Sequence, residues 1–330
     1  MGKINAVMKH YCSDKIRFAD LFNGILFKGE KVIQYDELME GSEIYSEPKV
    51  SDSLWEDKHR DYLERMRDVK MISGSGTAFR VLAIENQYAV DYSMPLRCMQ
   101  YDVMQYQQQL EELKRNNDAA GNYETKAERL CKVKKADRLW PTYTICIYLG
   151  EDEWDGPRSL KDMMNFGEDG KRVQEQFSDY PFRLFCMNEE QDFSVFHTSV
   201  RQVFELMPYR KNKKRLLEKL EENKFYEQLD EDSLELLSEL LNVPSIWKNR
   251  KKYMKKTKDR EEYDMCQAIR ELIEDGRLEG VAAGKEQGRQ EGKMDLLFEL
   301  VKEGLLALED AAKKADFSVD EFEKRMLTTN

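Results

Sequence analysis

Metal-binding side chains other than carboxylates are scarce in this sequence. It has 3 histidines (His10, His59 and His197), and none lies at a ligand spacing from a cysteine. The 6 cysteines are scattered without a Cys-x-x-Cys pair, and Cys146 lies inside an apolar run, as small buried thiols usually do. Zinc sites and histidine triads need several imidazoles or thiolates that converge. The scarcity argues against both, while a single Cys–His pair distant in sequence stays open.

Long apolar runs are also lacking. No stretch reaches the roughly 18 uninterrupted apolar residues that a membrane helix needs. Residues 1–12 have no apolar core of the signal-peptide type, and Ala6 occupies the position where a myristoylation motif requires Ser or Thr. We therefore expect a cytoplasmic protein with no membrane partner.

The net charge is −11, so tight DNA binding by the whole surface is not expected. The basic residues are nevertheless clustered in three groups, at 126–138, 210–215 and 248–258. Each group is interpreted either as a solvated surface or as a local track for phosphates. Net charge alone does not choose between them.

The most specific local pattern is a β-hairpin. Two short β-prone runs, Arg67–Ile72 and Phe79–Ile84, flank Ser73–Gly76, where glycine tolerates the positive φ of a turn. This pattern predicts an antiparallel pair from Arg67 to Gln87. The mixed pattern over residues 30–56 predicts no helix or strand. The pattern over Asp57–Arg65 predicts a short charged helix.

The rest of the N-terminal half alternates between helix and strand patterns. We predict a first helix over Asp14–Phe27 with Ser13 as its N-cap, a long helix from Pro95, and strands at Thr142–Leu149 and Phe182–Met187. The fully apolar Thr142 strand is typical of the centre of a sheet. The pattern predicts an α/β fold in which a mixed sheet is flanked by helices.

From Phe196 onwards the pattern is helical. We predict a core at 1–195, a helical extension at 196–275, a glycine-repeat linker helix at 276–293 and a small helical tail at 294–330. Four predicted helices occupy Arg201–Met207, Arg215–Phe225, Ser233–Leu241 and Glu261–Ile273. The repeat places glycine at every fourth position from Gly276 to Gly292. Because each glycine costs about 1 kcal/mol of helix stability, a linker is slightly favoured, with a homo-oligomer through this stripe as the alternative.

The hairpin also carries the candidate site. Strand alternation places Glu85 and Gln87 on one face and Asn86 on the other. A partner strand bearing Asp68 would bring a second carboxylate beside Glu85. Such a pair suits Mg²⁺, an ion that keeps several waters and bridges phosphate oxygens. Taken alone, the pattern also fits two solvated acids on a half-exposed sheet, paired with neighbouring arginines.

A wider set of motifs carries a family resemblance. The motifs are Phe18–Asn23, Arg67–Val69, Ile84–Gln87, Asp91–Arg97, Tyr101–Asp102, Tyr143–Gly150, Trp154–Pro157 and Cys266–Ile269. In this order they resemble the Rpn-type family of recombination-promoting nucleases and transposase-like proteins, in the PD-(D/E)XK superfamily. The resemblance covers nearly the whole chain.

This resemblance implies that the core at 1–195 is a restriction-endonuclease-like nuclease core, and it implies hydrolysis of DNA that depends on Mg²⁺ or Mn²⁺. Asp68 and Glu85 would hold the metal, and Gln87 would take the position of the superfamily lysine. Glutamine is neutral, so it orients water by hydrogen bonding instead of supplying charge. Arg97 and Tyr101 would position substrate phosphate, or else pack against the sheet, and Asp20 would be an outer acidic contributor. The alternative function is a non-catalytic nuclease fold that acts in DNA binding or self-assembly.

Overall fold

The computed structural model describes residues 2–40, 69–75, 78–168, 170–256 and 261–328. By its internal contacts the chain divides into two compact units, residues 1–265 and residues 266–330. No helix among these residues is both long enough and apolar enough to cross a membrane.

The first unit is built on one mixed sheet with the strand order β1-β2-β3-β4-β5. The strands are β1 (Leu38–Glu40), β2 (Val69–Ser75), β3 (Ala78–Gln87), β4 (Thr142–Tyr148) and β5 (Arg183–Cys186). β1, β2 and β3 pair antiparallel, whereas β3, β4 and β5 pair parallel. The predicted hairpin and both later strands are confirmed. The ladder continues to the pair Ser75–Ala78, beyond the start of the predicted turn.

β1 corrects the expectation that residues 30–56 form no element. Leu38 pairs with Ser73 and is 1% exposed. Asn23 fixes the segment that precedes β1. Its side chain accepts hydrogen bonds from the backbone N–H groups of Val32 and Ile33 and donates to the Ile33 carbonyl. Three residues are too few to show a period-two pattern, which is why β1 was missed. The helix predicted at Asp57–Arg65 lies outside the described residues.

Two helices precede the sheet, α1 (Gly2–Ser13) and α2 (Lys15–Phe27). α2 confirms the predicted first helix, but its N-cap is Asp14 and not Ser13, since the Asp14 carboxylate accepts from the backbone N–H groups of Ile16 and Arg17. The correction follows from α1, which ends at Ser13.

α3 (Met94–Ala120) begins beside Pro95 as predicted and packs against β4. Its buried face differs from its apolar positions. Leu96 and Val103, which helped to predict the helix, are 40% and 42% exposed, whereas Asp102 and Gln105 are 5% exposed. α3 therefore brings polar side chains to the sheet.

Shorter elements complete the first unit. They are α4 (Lys126–Cys131), α5 (Gly170–Gln174), α6 (Ser199–Glu205), α7 (Lys213–Glu222), α8 (Glu231–Leu240), α9 (Pro244–Lys248), β6 (Met254–Lys256) and β7 (Glu261–Tyr263). The helix predicted from Glu261 is wrong at its start. Tyr263 pairs with Met254 and exchanges backbone hydrogen bonds with Leu229, so the helix begins only at Met265.

The glycine repeat lies within one continuous helix, α10 (Met265–Lys302), followed by α11 (Leu308–Ala315) and α12 (Val319–Thr328). The repeat is therefore helical, and its role as a linker or as a surface for self-association stays a prediction. Ion pairs of Arg277 with Glu274 and of Arg289 with Glu286 support the helix between its glycines. In the tail, Phe298, Ala311 and Phe322 form a small core, and Gly304 has a φ of 72° where the predicted break occurs.

Candidate functional site

The candidate site lies where β3 runs beside β4. Glu85 pairs with Cys146 and Gln87 with Tyr148, so these side chains share the face of the sheet that α3 covers. Glu85 is 1% exposed, whereas Gln87 is partly exposed at the end of the strand. Asn86, on the opposite face, is also buried. A carboxylate is therefore held beneath α3, with an amide at the rim.

Asp68 lies outside the described residues. The last described pair of the hairpin joins Val69 to Ile84. Asp68 directly precedes Val69 in the sequence, and Glu85 directly follows Ile84. The pairing of these two acids stays a prediction.

Arg97 and Tyr101 lie on one side of α3, as their spacing predicts. Arg97 Nη2 donates to the Tyr101 hydroxyl at 3.2 Å, and Nη1 pairs with Asp91. Burial opposes the charge on Arg97, but the bonds to Tyr101 and Asp91 outweigh it and raise the pKa of the guanidinium. The Arg97 charge is thus already balanced by a carboxylate.

The charge of Glu85 acts on its neighbours. Burial raises the pKa of Tyr101, and the nearby Glu85 carboxylate adds to the rise. Burial also raises the pKa of Cys146, with contributions from Cys98 and Glu85. Tyr101 therefore stays protonated at neutral pH. Its oxygen accepts a hydrogen bond from Arg97 Nη2.

Deeper under α3 lies a polar group that the sequence did not reveal. Asp102 accepts hydrogen bonds from the Thr144 hydroxyl and the Tyr180 hydroxyl, each at 2.6 Å. In the sequence Asp102 stands out only as part of the Tyr101–Asp102 motif, and Tyr180 carries no local signal. The group ties α3, β4 and the segment before β5 together.

Asp20 makes its described hydrogen bonds elsewhere in the first unit, at the start of α6. Its carboxylate accepts from the backbone N–H groups of His197 and Thr198 and from the Thr198 hydroxyl, at 2.7 to 2.9 Å. Thr198 is the N-cap of α6, so these bonds fasten α2 to the start of α6. The structure gives Asp20 an architectural role, and its predicted outer acidic role stays a prediction.

The donors at the end of β3 match a hard ion in kind. Glu85 and Gln87 offer oxygen atoms, which Mg²⁺ prefers, although the second carboxylate of the predicted pair is Asp68. Within the part of the chain that the structure describes, no group of three or more His, Cys, Asp or Glu side chains is placed to hold a metal ion.

No protein-family model, curated protein or solved structure matches this chain. The Rpn-type resemblance therefore rests on the motifs in the sequence.

Proposed function

We propose that the chain is a metal-dependent DNA endonuclease with a restriction-endonuclease-like core, acting in the cytoplasm in recombination or with a mobile element. The observation that carries the proposal is the Glu85 carboxylate, held at the parallel junction of β3 and β4 beneath Arg97 and Tyr101. The order of the elements supports it: three antiparallel strands, then α3, then a strand parallel to the third.

In this proposal Asp68 and Glu85 hold Mg²⁺ or Mn²⁺. When bound, the ion neutralises charge on the scissile phosphate and acidifies water. Gln87, at the rim, orients a water molecule through its amide. Tyr101 donates a hydrogen bond from a hydroxyl that stays protonated, and Arg97 fixes the direction of that hydroxyl. α3 excludes bulk water from Glu85, which strengthens these electrostatic interactions.

The test is nicking of supercoiled plasmid DNA with Mg²⁺. Glu85→Gln keeps the shape of the side chain but removes its charge, and we expect it and Asp68→Asn to lower the rate by about 100-fold or more. Glu189→Gln, which removes an exposed acid paired with Arg158, is the matched control and should cut normally. If the Glu85 and Asp68 variants cut as fast as the native chain, the proposed centre is wrong.

Self-association through α10 is the second candidate function. The five repeat glycines have open space where a Cβ would be, with no described atom within 4 Å. Acids directly precede three of them (Asp275, Glu279 and Glu291), and bases directly follow four (Arg277, Lys285, Arg289 and Lys293). The stripe therefore has an acidic flank and a basic flank. In a parallel two-fold pair of helices opposite flanks face each other, whereas in an antiparallel pair like flanks would meet.

The oligomeric state tests this candidate. Gly284→Leu fills the stripe with a good helix former, and we expect it to convert a dimer into a monomer in light scattering after size exclusion. Ala282→Leu lies on the other side of the helix and should leave the dimer intact. A native chain that is monomeric at micromolar concentration would contradict the candidate.

A further inference from the structure

Arg210 holds a guanidinium at the carboxyl end of the parallel strands. Arg210 is half-buried. Its Nη1 donates to the Leu149 carbonyl at 2.9 Å, and its Nη2 donates to the Gly150 carbonyl. Both acceptors directly follow β4. Arg210 belongs to a basic group that the sequence left open as a solvated surface or a phosphate track, but the structure fixes this member at the sheet.

The segment that Arg210 binds, Leu149–Gly150, lies beside the end of β3. The Leu149 N–H donates to the Gln87 carbonyl at 2.7 Å, next to the last ladder pair between Gln87 and Tyr148. In a strand the N–H and C=O of one residue point towards the same neighbour. Arg210 therefore occupies the place beside β4 that β3 would have filled had its ladder continued. Arg210 and Gln87 thus bond to the same residue, Arg210 to the Leu149 carbonyl and the Gln87 carbonyl to the Leu149 N–H.

The guanidinium has donors to spare. Arginine carries five N–H bonds, and the bonds to the Leu149 and Gly150 carbonyls leave a second N–H on each of Nη1 and Nη2. Burial lowers the pKa of the Arg210 guanidinium, and the nearby carboxylates of Glu151 and Asp152 oppose this shift only in part. Its neighbour Lys211, by contrast, pairs with Asp152 at 3.1 Å. A guanidinium that is fixed in place by two carbonyl groups suits an anion that accepts several hydrogen bonds.

We propose that Arg210 binds a phosphate group of the nucleic acid at the end of β3. It thereby supplies the positive charge that Gln87 lacks. This inference rests on the proposed function for its substrate class, nucleic acid, but not on cleavage. Phosphate fits because a planar guanidinium matches its oxygen atoms, and because Arg97, the other arginine near the site, is already paired with Asp91.

The test is the salt dependence of DNA binding. Binding of a labelled short DNA duplex is followed by fluorescence anisotropy in EDTA at several salt concentrations. We expect Arg210→Gln to weaken binding roughly tenfold and to reduce the slope of log Kd against log salt by roughly one, since one phosphate contact is lost. Arg210→Lys keeps the charge and should keep the slope. Arg158→Gln removes an exposed arginine paired with Glu189 and is the matched control.

Equal slopes and affinities for Arg210→Gln and Arg158→Gln would overturn the inference, and so would a native chain that binds no DNA. If Arg210→Gln does not fold, the Nε–H resonance of Arg210 in the ¹⁵N-arginine-labelled native chain decides, assigned by its loss in Arg210→Lys. It should shift on addition of the duplex, and a purely architectural arginine would not respond. If the native chain nicks plasmid DNA and Arg210→Gln still binds DNA normally, only this inference is refuted. Binding that depends on Arg210 without nicking would refute only the nuclease.

Discussion

The two faces of the central sheet are both buried but are built from different side chains. The face turned away from α3 is mainly apolar and carries Leu82, Ile84, Ile145, Ile147 and Phe185, with Asn86 as a buried polar exception. The face under α3 carries Glu85, Thr142 and Thr144 beside Cys146, and it meets Asp102 from the helix. The same strands thus present an ordinary core on one side and a buried polar layer on the other.

The difference separates stability from function. Apolar burial stabilises a fold directly, whereas a buried carboxylate costs free energy unless hydrogen bonds or charges compensate it. A fold built for stability alone would have apolar residues at the positions of Glu85 on the sheet and Asp102 on α3. The polar layer is therefore the place to look for a site, and the apolar face is the place where substitutions should damage only folding.

The largest effect is expected on the apolar face. The Phe185 ring packs against those of Phe196 and Phe204, with centroids 5.6 and 5.3 Å apart. Phe185→Ala should lower the free energy of unfolding by about 3–5 kcal/mol, measured by urea denaturation. Phe166→Ala, in a less buried pair with Phe177, should cost clearly less. Equal losses at the two positions would show that the aromatic cluster is not the centre of the core.

A smaller loss, with a distinct signature, is expected in the polar layer. Asp102→Ala leaves the hydroxyls of Thr144 and Tyr180 without their shared acceptor and should cost about 2–3 kcal/mol. Tyr180→Phe should cost about 1–2 kcal/mol. The double variant should lose less than the sum, because each single change breaks the same bond. Strictly additive losses in urea denaturation would mean that the two side chains do not interact.

The contrast also explains what the sequence could foretell. The hairpin and β4 are predicted correctly because β-prone or fully apolar runs bounded by turn residues give a local signal. α3 was found, but its buried face was not, since Asp102 and Gln105 look like solvent-facing residues until their partners are known. Those partners, such as Tyr180, are distant in sequence. Alternation along β3 put Glu85 and Gln87 on one face, whereas nothing local indicated that Arg210 would reach that strand's end.

The smallest effect concerns the rim of the polar layer, where Asp91 pairs with Arg97. Burial disfavours the Asp91 charge, but bonds from Ser93 and Arg97 prevail and hold the pKa of the carboxyl below its ordinary value of 3.8. A lowered folded-state pKa contributes stability above the unfolded value, and this stability is lost as the pH falls through the folded value. Asp91→Asn should therefore cost up to about 1 kcal/mol near neutral pH, because the pair is partly exposed, and progressively less below about pH 3.8. Urea denaturation at neutral pH and below about pH 3.8 measures the difference in the free energy of unfolding. Asp36→Asn, at an exposed position, is the control. A cost that stays constant with pH would show that the ion pair contributes nothing and that α3 is held to the sheet by its buried residues alone.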